Sequence, residues 1–318
     1  MKNILLLGGT GFIGRHVCEK LARLQCRVTV ATRRYDHARH VIPLPLVTVL
    51  VADIHDEPAL ARLVAGHDAV VNLVGTLHGG EAAFNRAHVE LPQKIARACA
   101  ATGPRRLVHL SSLGAAEDAP SMYQRSKARG EAAVRESGLA ATILRPSVVF
   151  GAEDRFINLF ARLQRAFPVL PLAGADARFQ PVWVEDLADA IIHCLQQGDT
   201  IGRTFEICGP DVFTLRELVQ LAGRHAGVNH GRGRPVIGLP MALGRLQALL
   251  MELAPGEPLM SRDNLASMQV DNVASGDLPG LDALGIQASG VEGIVPRYLG
   301  SRGPRSSLDG MRRTAGRF

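Results

Sequence analysis

The sequence predicts an α/β protein in which a doubly wound parallel sheet is followed by a smaller mixed α/β lobe. Apolar runs of strand length alternate with amphipathic segments over the first 150 residues, and a glycine-rich turn joins the first run to the first amphipathic segment. Beyond Gly151 the alternation becomes irregular. Strands that alternate with helices over short connections pair in parallel, because each helix crosses back over the sheet.

The predicted strands of the first half are short and apolar, as strands buried on both faces are. They cover residues 4–7, 27–32, 46–51, 69–74, 106–110 and 142–144. Segments with apolar residues at helical spacing lie between them, most clearly at 15–24, 82–101 and 123–136. The order of elements is therefore strand, helix, strand throughout.

The turn after the first strand has the sequence Gly8-Gly9-Thr10-Gly11-Phe12-Ile13-Gly14. Glycines permit a tight turn and let the backbone approach a pyrophosphate, and the helix that follows directs its positive N-terminus at that charge. A tight turn without a ligand is the alternative, which the strand-turn-helix context disfavours. We therefore predict a Rossmann-like NAD(P)-binding domain over residues 1–150, with cofactor contacts from Gly8, Thr10, Gly11, Phe12, Ile13 and Gly14.

The end of the second predicted strand favours NADP(H) over NAD(H). An acidic residue there accepts a hydrogen bond from the 2′-hydroxyl of NAD and repels the 2′-phosphate of NADP. This chain has Thr32-Arg33-Arg34 instead, with no acid before Asp36. Because a guanidinium can bind a phosphate with two hydrogen bonds, Arg33 and Arg34 are candidate phosphate ligands. The alternative is that both arginines are only solvated.

The ends of the third and fourth strands carry further candidate cofactor contacts. Asp53, followed by Ile54, is placed to accept a hydrogen bond from the adenine amine, although an N-cap or turn role is the alternative. After the fourth strand, the segment Leu73, Val74 and Gly75 offers a small apolar surface beneath the cofactor.

Tyr123 and Lys127 lie four residues apart, on one face of a predicted helix. Positive charge from Lys127 and an oxidised nicotinamide is expected to lower the pKa of Tyr123, which could then act as a general acid or base. Lys127 could also hold the nicotinamide ribose. Ser111 and Ser112 end the preceding strand, where a hydroxyl could hold a substrate carbonyl or alcohol. A plain helical pair and ordinary turn-forming serines are the alternatives.

The second half of the chain predicts a substrate lobe over residues 151–296. Helical patterns cover 155–165, 184–196, 215–225 and 240–253, and short strand candidates lie at 178–182 and 204–208. We expect this lobe to lie over the carboxyl ends of the strands, where such sheets bind their ligands. No set of histidines or carboxylates in it has metal-ligand spacing, and none of its residue patterns indicates the substrate.

Composition indicates a globular protein of a reducing compartment. The chain is 47% hydrophobic and 21% charged, which is ordinary for globular proteins. No apolar run approaches the roughly 20 residues of a membrane helix, and the N-terminus lacks a signal-peptide layout. The cysteines are scattered without C-x-x-C spacing, which argues against zinc and for the cytoplasm. These are Cys18, Cys26, Cys99, Cys194 and Cys208.

The net charge of +6 is concentrated at the C-terminus. Residues 297–318 contain six arginines and one aspartate, hence five of the six positive charges. Disorder is the favoured interpretation of this tail, and binding to an acidic partner or lipid surface is the alternative. Aromatic residues that could stack on bases are not interleaved with the basic ones, so we predict no nucleic-acid partner.

Taken together, the glycine loop, the serine pair and the Tyr123-x-x-x-Lys127 spacing resemble the extended branch of the short-chain dehydrogenase/reductase superfamily, which includes NAD-dependent epimerases and dehydratases. Leu144-Arg145-Pro146-Ser147, followed by Val149-Phe150-Gly151, resembles its last Rossmann strand. That resemblance implies backbone contacts of Pro146 and Val149 with the nicotinamide. The segment 180–188 resembles the entry to the substrate lobe of that branch.

A narrower resemblance is to the atypical extended members of the superfamily. Two motifs carry it: Arg125-Ser126-Lys127-Ala128-x-Gly130-Glu131 and Phe150-Gly151-x-Glu153-Asp154-Arg155-Phe156-x-Asn158. That group includes the NADPH-binding accessory subunit of mitochondrial complex I and its bacterial relatives. The resemblance covers roughly residues 1–295 and implies a bound NADP(H).

One position departs from the family pattern, which has an asparagine on the long helix before the serine strand. This chain has His88 there, with Asn85 one turn earlier.

The first hypothesis is an NADP(H)-dependent oxidoreductase or epimerase-like enzyme, with Tyr123 transferring the proton and nicotinamide C4 the hydride. The second is a non-catalytic accessory or assembly protein whose nucleotide is structural, with a respiratory-complex partner. Neither the substrate nor the oligomeric state is indicated.

A third hypothesis is a peripheral membrane or quinone-pathway protein at the inner face of the membrane. It depends on one apolar stripe near the predicted last long helix, for which packing on its own lobe is the favoured alternative. The stripe consists of Leu239, Ala242, Leu243, Leu246, Leu249, Leu250 and Leu253.

Overall fold

The computed structural model describes residues 1–253, 256 and 258–300, so most of the predicted basic tail lies outside the described residues. Its strands are β1 (Asn3–Leu7), β2 (Arg27–Thr32), β3 (Val47–Val51), β4 (Ala69–Asn72), β5 (Arg106–Leu110), β6 (Ala140–Pro146), β7 (Val149–Phe150), β8 (Leu170–Ala173), β9 (Arg178–Phe179), β10 (Val182–Trp183), β11 (Thr204–Ile207), β12 (Phe213–Thr214) and β13 (Val236–Leu239).

The α-helices are α1 (Phe12–Arg23), α2 (Glu57–Val64), α3 (Glu81–Asn85), α4 (Leu91–Thr102), α5 (Met122–Glu136), α6 (Ile157–Ala166), α7 (Val184–Gln196), α8 (Leu215–His225), α9 (Met241–Leu253), α10 (Arg262–Ser267) and α11 (Val291–Leu299). A π-helical turn, Arg86–Glu90, joins α3 to α4. Shorter 3-10 turns cover Tyr35–Ala38, Gly198–Thr200 and Asp282–Leu284. Within the described part of the chain, no helix is long and apolar enough to span a membrane.

Seven parallel strands form the central sheet in the order β11-β6-β5-β4-β1-β2-β3. The chain moves outward from β1 through β2 to β3, then returns to β4 on the other side of β1. This confirms the predicted doubly wound, Rossmann-like α/β fold. The reversal opens a crevice at the carboxyl ends of β1 and β4, which is where such sheets bind ligands.

Several elements differ from their predicted limits. The long helix predicted over 82–101 is interrupted by the π turn, and the strand predicted over 178–182 divides into β9 and β10. Strand β11, predicted as part of the second lobe, instead pairs in parallel with β6 at the edge of the central sheet. Apolar periodicity indicates that a segment is a strand but carries no information about its partner, so this return to the sheet could not be predicted.

Apolar cores fill both faces of the sheet and the interior of the second lobe. Helices α1 and α7 cover one face, while α2, α4 and α5 cover the other. The second lobe has its own core between α6, α8 and α11, with short strand pairs at its edges. Since α5 begins at the carboxyl end of β5, it carries its first turn to the ligand-binding edge of the sheet.

A buried carboxylate fixes helix α5 to strand β6. The side chain of Glu131 is fully buried and accepts two hydrogen bonds from Arg145, at 2.8 Å from Nε and 2.7 Å from Nη2. Arg135 on the same helix donates a third at 2.6 Å. A buried charge is tolerated only when it is paired and hydrogen-bonded in this way.

Replacing Glu131 by Gln is expected to lower the free energy of unfolding by about 3 kcal/mol, because Arg145 would lose its buried anionic partner. Urea denaturation followed by circular dichroism measures this change. Glu136→Gln is the matched control, since Glu136 is exposed near the end of the same helix. Equal stability of the two variants would contradict the assigned role of Glu131.

Candidate functional site

The glycine loop closes tightly between β1 and α1. Gly11 N donates to Gly8 O at 3.0 Å, and a Cβ on Gly14 would collide with the backbone of Gly8 and Gly9. Among the residues that the structure describes, no side chain caps the N-terminus of α1, and the first turn of this helix has no acidic residue. The N–H groups of this turn are therefore available to an anion such as a pyrophosphate.

The region after β2 is strongly cationic, as the sequence predicted, but its two arginines differ in their contacts. Arg34 binds Asp36 at 3.2 and 2.8 Å, whereas Arg33 is exposed. This contact holds the pKa of the Asp36 carboxyl below its usual range. Of the two predicted phosphate ligands, Arg33 is thus the one whose guanidinium is less engaged.

A cleft of about 370 Å³ lies between the glycine loop and the segment after β2. Besides Thr10 and Asp36, its lining residues are basic, and sequence reasoning missed them: His37, Arg39 and His40. The sequence contained a usable signal, since three basic residues follow Asp36 within four positions. Only the 3-10 turn after Arg34 brings them opposite Thr10.

Asp53 occupies the predicted position but already serves a turn. Its Oδ1 accepts from His55 N at 2.9 Å, and the carboxylate is exposed. The N-cap of α2 is Asp56, which accepts from Ala59 N at 3.0 Å. Asp53 therefore has the turn role that the sequence left as an alternative. A contact with adenine would have to use the remaining lone pairs of the Asp53 carboxylate. Ile54 beside it is half-buried against the core.

The segment after β4 lies beside the predicted catalytic residues. β4 ends at Asn72, two residues earlier than predicted, and Asn72 Oδ1 accepts from Val74 N at 3.2 Å. A Cβ on Gly75 would lie 3.3 Å from Lys127 Nζ and 3.5 Å from His88 Nε2. The predicted surface of Leu73, Val74 and Gly75 therefore adjoins the head of Lys127.

Tyr123 and Lys127 come together with the serine strand end, as predicted. Ser121 caps α5, so Tyr123 lies in its first turn. Lys127 Nζ donates to Leu110 O at 3.1 Å and lies 5.9 Å from the centre of the Tyr123 ring. This places the ammonium of Lys127 at the carboxyl end of β5, near the ring of Tyr123.

The electrostatics differ from the prediction for Tyr123. Burial raises the pKa of the phenol, whereas the sequence predicted a lowering by Lys127 together with an oxidised nicotinamide. Lys127 is buried as well, and burial lowers its own pKa to about 8. At neutral pH Tyr123 is therefore protonated and suited to donate its proton.

The hydroxyls of Ser111 and Ser112 are buried and have no hydrogen-bond partner among the described residues. Ser112 is the one beside Tyr123, since its hydroxyl lowers the pKa of the phenol against the effect of burial, although the two form no well-aligned hydrogen bond. Buried hydroxyls without partners are costly. A ligand oxygen at this place would satisfy them.

The two remaining predicted contacts lie at the end of β6. Pro146 O accepts from Leu113 N at 2.9 Å, and Val149 begins the short strand β7, which pairs with β10. Both residues sit at the carboxyl edge of the sheet, but the Pro146 carbonyl is already engaged.

Sequence reasoning missed a contact from the second lobe to the catalytic helix. Asp263 of α10 accepts from Met122 N at 2.6 Å and from Tyr123 N at 3.1 Å. A carboxylate at a helix N-terminus is favoured by the helix dipole. The lobe therefore contacts the backbone of Tyr123 itself, a pairing over 140 residues of chain that no local pattern could have indicated.

These features together fit a dinucleotide with a substrate beside it: free N–H groups at α1, cations after β2, and unpartnered hydroxyls beside Tyr123. Comparison with known proteins also indicates a nucleotide-binding protein. A model of the NAD dependent epimerase/dehydratase family matches residues 4–208.

Two curated relatives illustrate the range of similar proteins. The chain is 34% identical over 294 residues to the mouse (Mus musculus) protein "NADH dehydrogenase [ubiquinone] 1 alpha subcomplex subunit 9, mitochondrial", covering 90% of this chain and 77% of that protein. It is also 34% identical over 195 residues to the "Ceramide reductase" of Caulobacter vibrioides, covering 59% of each protein.

Among solved structures, the fold resembles a dTDP-glucose 4,6-dehydratase from Streptomyces venezuelae with NAD bound. The TM-score is 0.65 at 24% identity, over 74% of this chain and 84% of that one. This similarity shows the fold alone. The family match over residues 4–208 and the relative that aligns with nine-tenths of the chain confirm the resemblance found in the sequence: the chain belongs to the NAD dependent epimerase/dehydratase family, whose members bind NAD(P).

Proposed function

We propose that the protein is an NADP(H)-dependent oxidoreductase or epimerase-like enzyme of the extended short-chain dehydrogenase class, with Tyr123 as its general acid or base. One observation supports this most. Tyr123 stands in the first turn of α5, between the buried ammonium of Lys127 and the buried Ser112 hydroxyl. This arrangement can hold a substrate oxygen and move a proton to or from it.

The residues that would hold the cofactor lie along one edge of the sheet. The first turn of α1 would bind the pyrophosphate, and the exposed Arg33, with His37 and Arg39 of the neighbouring cleft, would bind the 2′-phosphate. The segment Leu73, Val74 and Gly75 would support the nicotinamide, and Lys127, which adjoins this segment, would hold its ribose. When bound, NADP(H) supplies or accepts a hydride at nicotinamide C4.

Protonated Tyr123, the form present at neutral pH, is the form that the reductive direction requires. A protonated phenol can donate to the oxygen of a carbonyl as that oxygen gains negative charge, and the Ser112 hydroxyl can donate a second hydrogen bond to it. The charge on Lys127 stabilises the tyrosinate that remains. The similarity to a protein named ceramide reductase is consistent with this direction.

Replacing Tyr123 by Phe is expected to lower the turnover of any ketone found in an NADPH-oxidation screen by about 10²-fold or more, because the proton donor is lost. NADPH affinity, measured by fluorescence titration, should stay the same. Tyr298→Phe is the control, since Tyr298 binds Asp154 in the second lobe. Unchanged turnover in Tyr123→Phe would contradict the assignment.

Replacing Arg33 by Ala is expected to weaken NADPH binding by roughly tenfold while leaving NADH binding within about twofold, because only NADPH carries the 2′-phosphate. Calorimetric titration with both nucleotides measures the difference. Arg34→Ala serves as the control, since Arg34 is engaged by Asp36. Equal losses of affinity for NADPH and NADH would contradict a contact between Arg33 and the 2′-phosphate.

A non-catalytic accessory role is the second candidate. It is favoured by the similarity to a mitochondrial NADH dehydrogenase subunit over 90% of this chain, which is also consistent with a respiratory-complex partner. The mitochondrial relative gives no support to a cytoplasmic location, which stays a prediction. NADPH that copurifies, exchanges slowly and is never oxidised would favour this role; fast exchange with turnover would favour the enzyme.

The outer face of α9 supports the proposed peripheral membrane location. The helix contacts its lobe through small residues, Gly244 and Ala248, while Leu243, Leu246, Leu250 and Leu253 are between 53% and 75% exposed. The sequence favoured packing of the whole stripe on its own lobe; these four leucines are exposed instead, while Leu239 packs, partly buried, on the lobe. Arg245 is exposed among them, and Glu252 is bound by Arg262 at 2.8 Å. A leucine face that also carries an exposed arginine suits an anionic lipid surface.

Replacing Leu246 and Leu250 together by Gln is expected to reduce cosedimentation with vesicles of anionic lipid several-fold, since each leucine contributes apolar area to the contact. Leu50→Gln, at an exposed position on β3, is the control. Undiminished binding of the double variant would contradict a lipid contact through α9. Concentration-dependent dimers without lipid binding would instead indicate a second copy on this face.

A further inference from the structure

The helix that precedes the serine strand contains a π turn, and the sequence explains it. In a regular α-helix the N–H of residue 92 would donate to the carbonyl of residue 88, but residue 92 is proline. Proline has no N–H, and its ring clashes with that carbonyl. The turn Arg86–Glu90 widens instead, with His88 at its centre. Turns of this kind are frequent at functional sites.

The widened turn lies directly against helix α5. A Cβ on Gly130 would collide with the His88 carbonyl oxygen, so only glycine permits this approach. The side chain of His88 is 1% exposed and therefore lies in the contact between the two elements. Asn85, one turn earlier, does not take part, since its Oδ1 is buried without a partner among the described residues.

The imidazole of His88 joins two parts of the site through hydrogen bonds of fixed direction. Thr76 N donates to Nε2 at 3.1 Å. Because a backbone amide can only donate, Nε2 carries no proton, and the proton of a neutral ring is on Nδ1. Nδ1 then donates to Ser126 Oγ at 2.8 Å, and Ser126 Oγ donates to Tyr123 O at 2.7 Å.

The same ring packs on the side chain of Tyr123. The ring centres are 5.4 Å apart in an edge-on arrangement, and Phe84 contacts both rings, stacked on His88 at 5.7 Å and edge-on to Tyr123 at 6.1 Å. Burial, with the nearby charge of Lys127 and the proximity of His109, lowers the pKa of His88 to about 2. The ring is therefore neutral at physiological pH, and its hydrogen-bond directions do not change there.

We propose that His88 is a positioning residue, which holds the first turn of α5 and the Gly75–Thr76 segment at a fixed separation. It thereby sets the phenol of Tyr123 relative to the surface on which the nicotinamide would lie. The hydrogen-bond chain stands on the structure alone, while its consequence for turnover rests on the proposed function. His88 stands on the proline-induced π turn at the position where the family pattern has an asparagine, and its two ring nitrogens make the two bonds described above.

The tautomer of His88 tests the chain of hydrogen bonds without any assay of activity. In the full-length ¹⁵N-labelled protein, we expect His88 to show the neutral Nδ1–H form and no titration between about pH 5 and 8. His88→Asn identifies its signals by their loss, and His225→Asn, on α8, is the matched control. An Nε2–H form, or a titration midpoint within that range, would overturn the proposal.

The signal of Tyr123 tests the positioning role. With only three tyrosines, ¹³C labelling at Cζ resolves each phenol. Both His88→Asn and Ser126→Ala should shift the Tyr123 signal and its titration midpoint, while Tyr298 stays unchanged. A histidine that only stabilised the fold would lower the melting temperature of its variant without moving Tyr123, and that result would overturn the proposal.

Ser126→Ala and His88→Asn separate the effects of the two hydrogen bonds that the His88 ring makes. Ser126→Ala breaks only the link to α5, so NADPH affinity should stay within about twofold, while kcat falls by about tenfold, the change expected for one buried hydrogen bond. His88→Asn breaks both links, so NADPH affinity should fall as well. If the wild-type protein has no turnover, the proposed function fails, while the NMR results still decide the role of His88.

Discussion

The arrangement of the candidate site depends on the position of one helix, α5, which is fixed by a buried ion pair. Glu131 is fully buried and bonded to Arg145 on β6 and to Arg135 on its own helix. If this carboxylate moved away from its partners, a buried charge would be left unpaired, which is strongly destabilising. The orientation of α5 about its axis is thereby fixed, and Lys127, one turn earlier, faces the end of β5.

Around this constraint, the remaining contacts act on the first turn of the same helix. Ser121 and Asp263 bind its N–H groups, and Ser126 connects it to His88. Asp263 of the second lobe therefore contacts the backbone of Tyr123 directly, and His88 is linked to it through the Ser126 hydroxyl. Any movement of that lobe on substrate binding would act directly on this turn, because Asp263 binds the Tyr123 amide.

The site divides clearly between groups that are already satisfied and groups that are not. Asp53, Arg34 and the Pro146 carbonyl have protein partners, whereas no described residue bonds the Ser111 and Ser112 hydroxyls or caps the first turn of α1. Unsatisfied buried polar groups are expected where a ligand completes the structure. The available groups lie at the carboxyl ends of β1 and β5, on both sides of the strand-order reversal. This distribution matches a ligand that extends across the crevice.

The sequence by itself determined the doubly wound sheet, the glycine loop at Gly8, the cationic strand end at Arg33, and the pairing of Tyr123 with Lys127. Each of these depends on residues within a few positions of one another, where spacing along the chain fixes spacing in the element. Tertiary structure alone decided that β11 completes the sheet, that Asp263 caps α5, that the α9 leucines face outward, and that His88 contacts Ser126. Those outcomes join residues far apart in sequence or select one face of a helix over another. Pairing and burial of that kind depend on the complete fold, so local periodicity could not specify them.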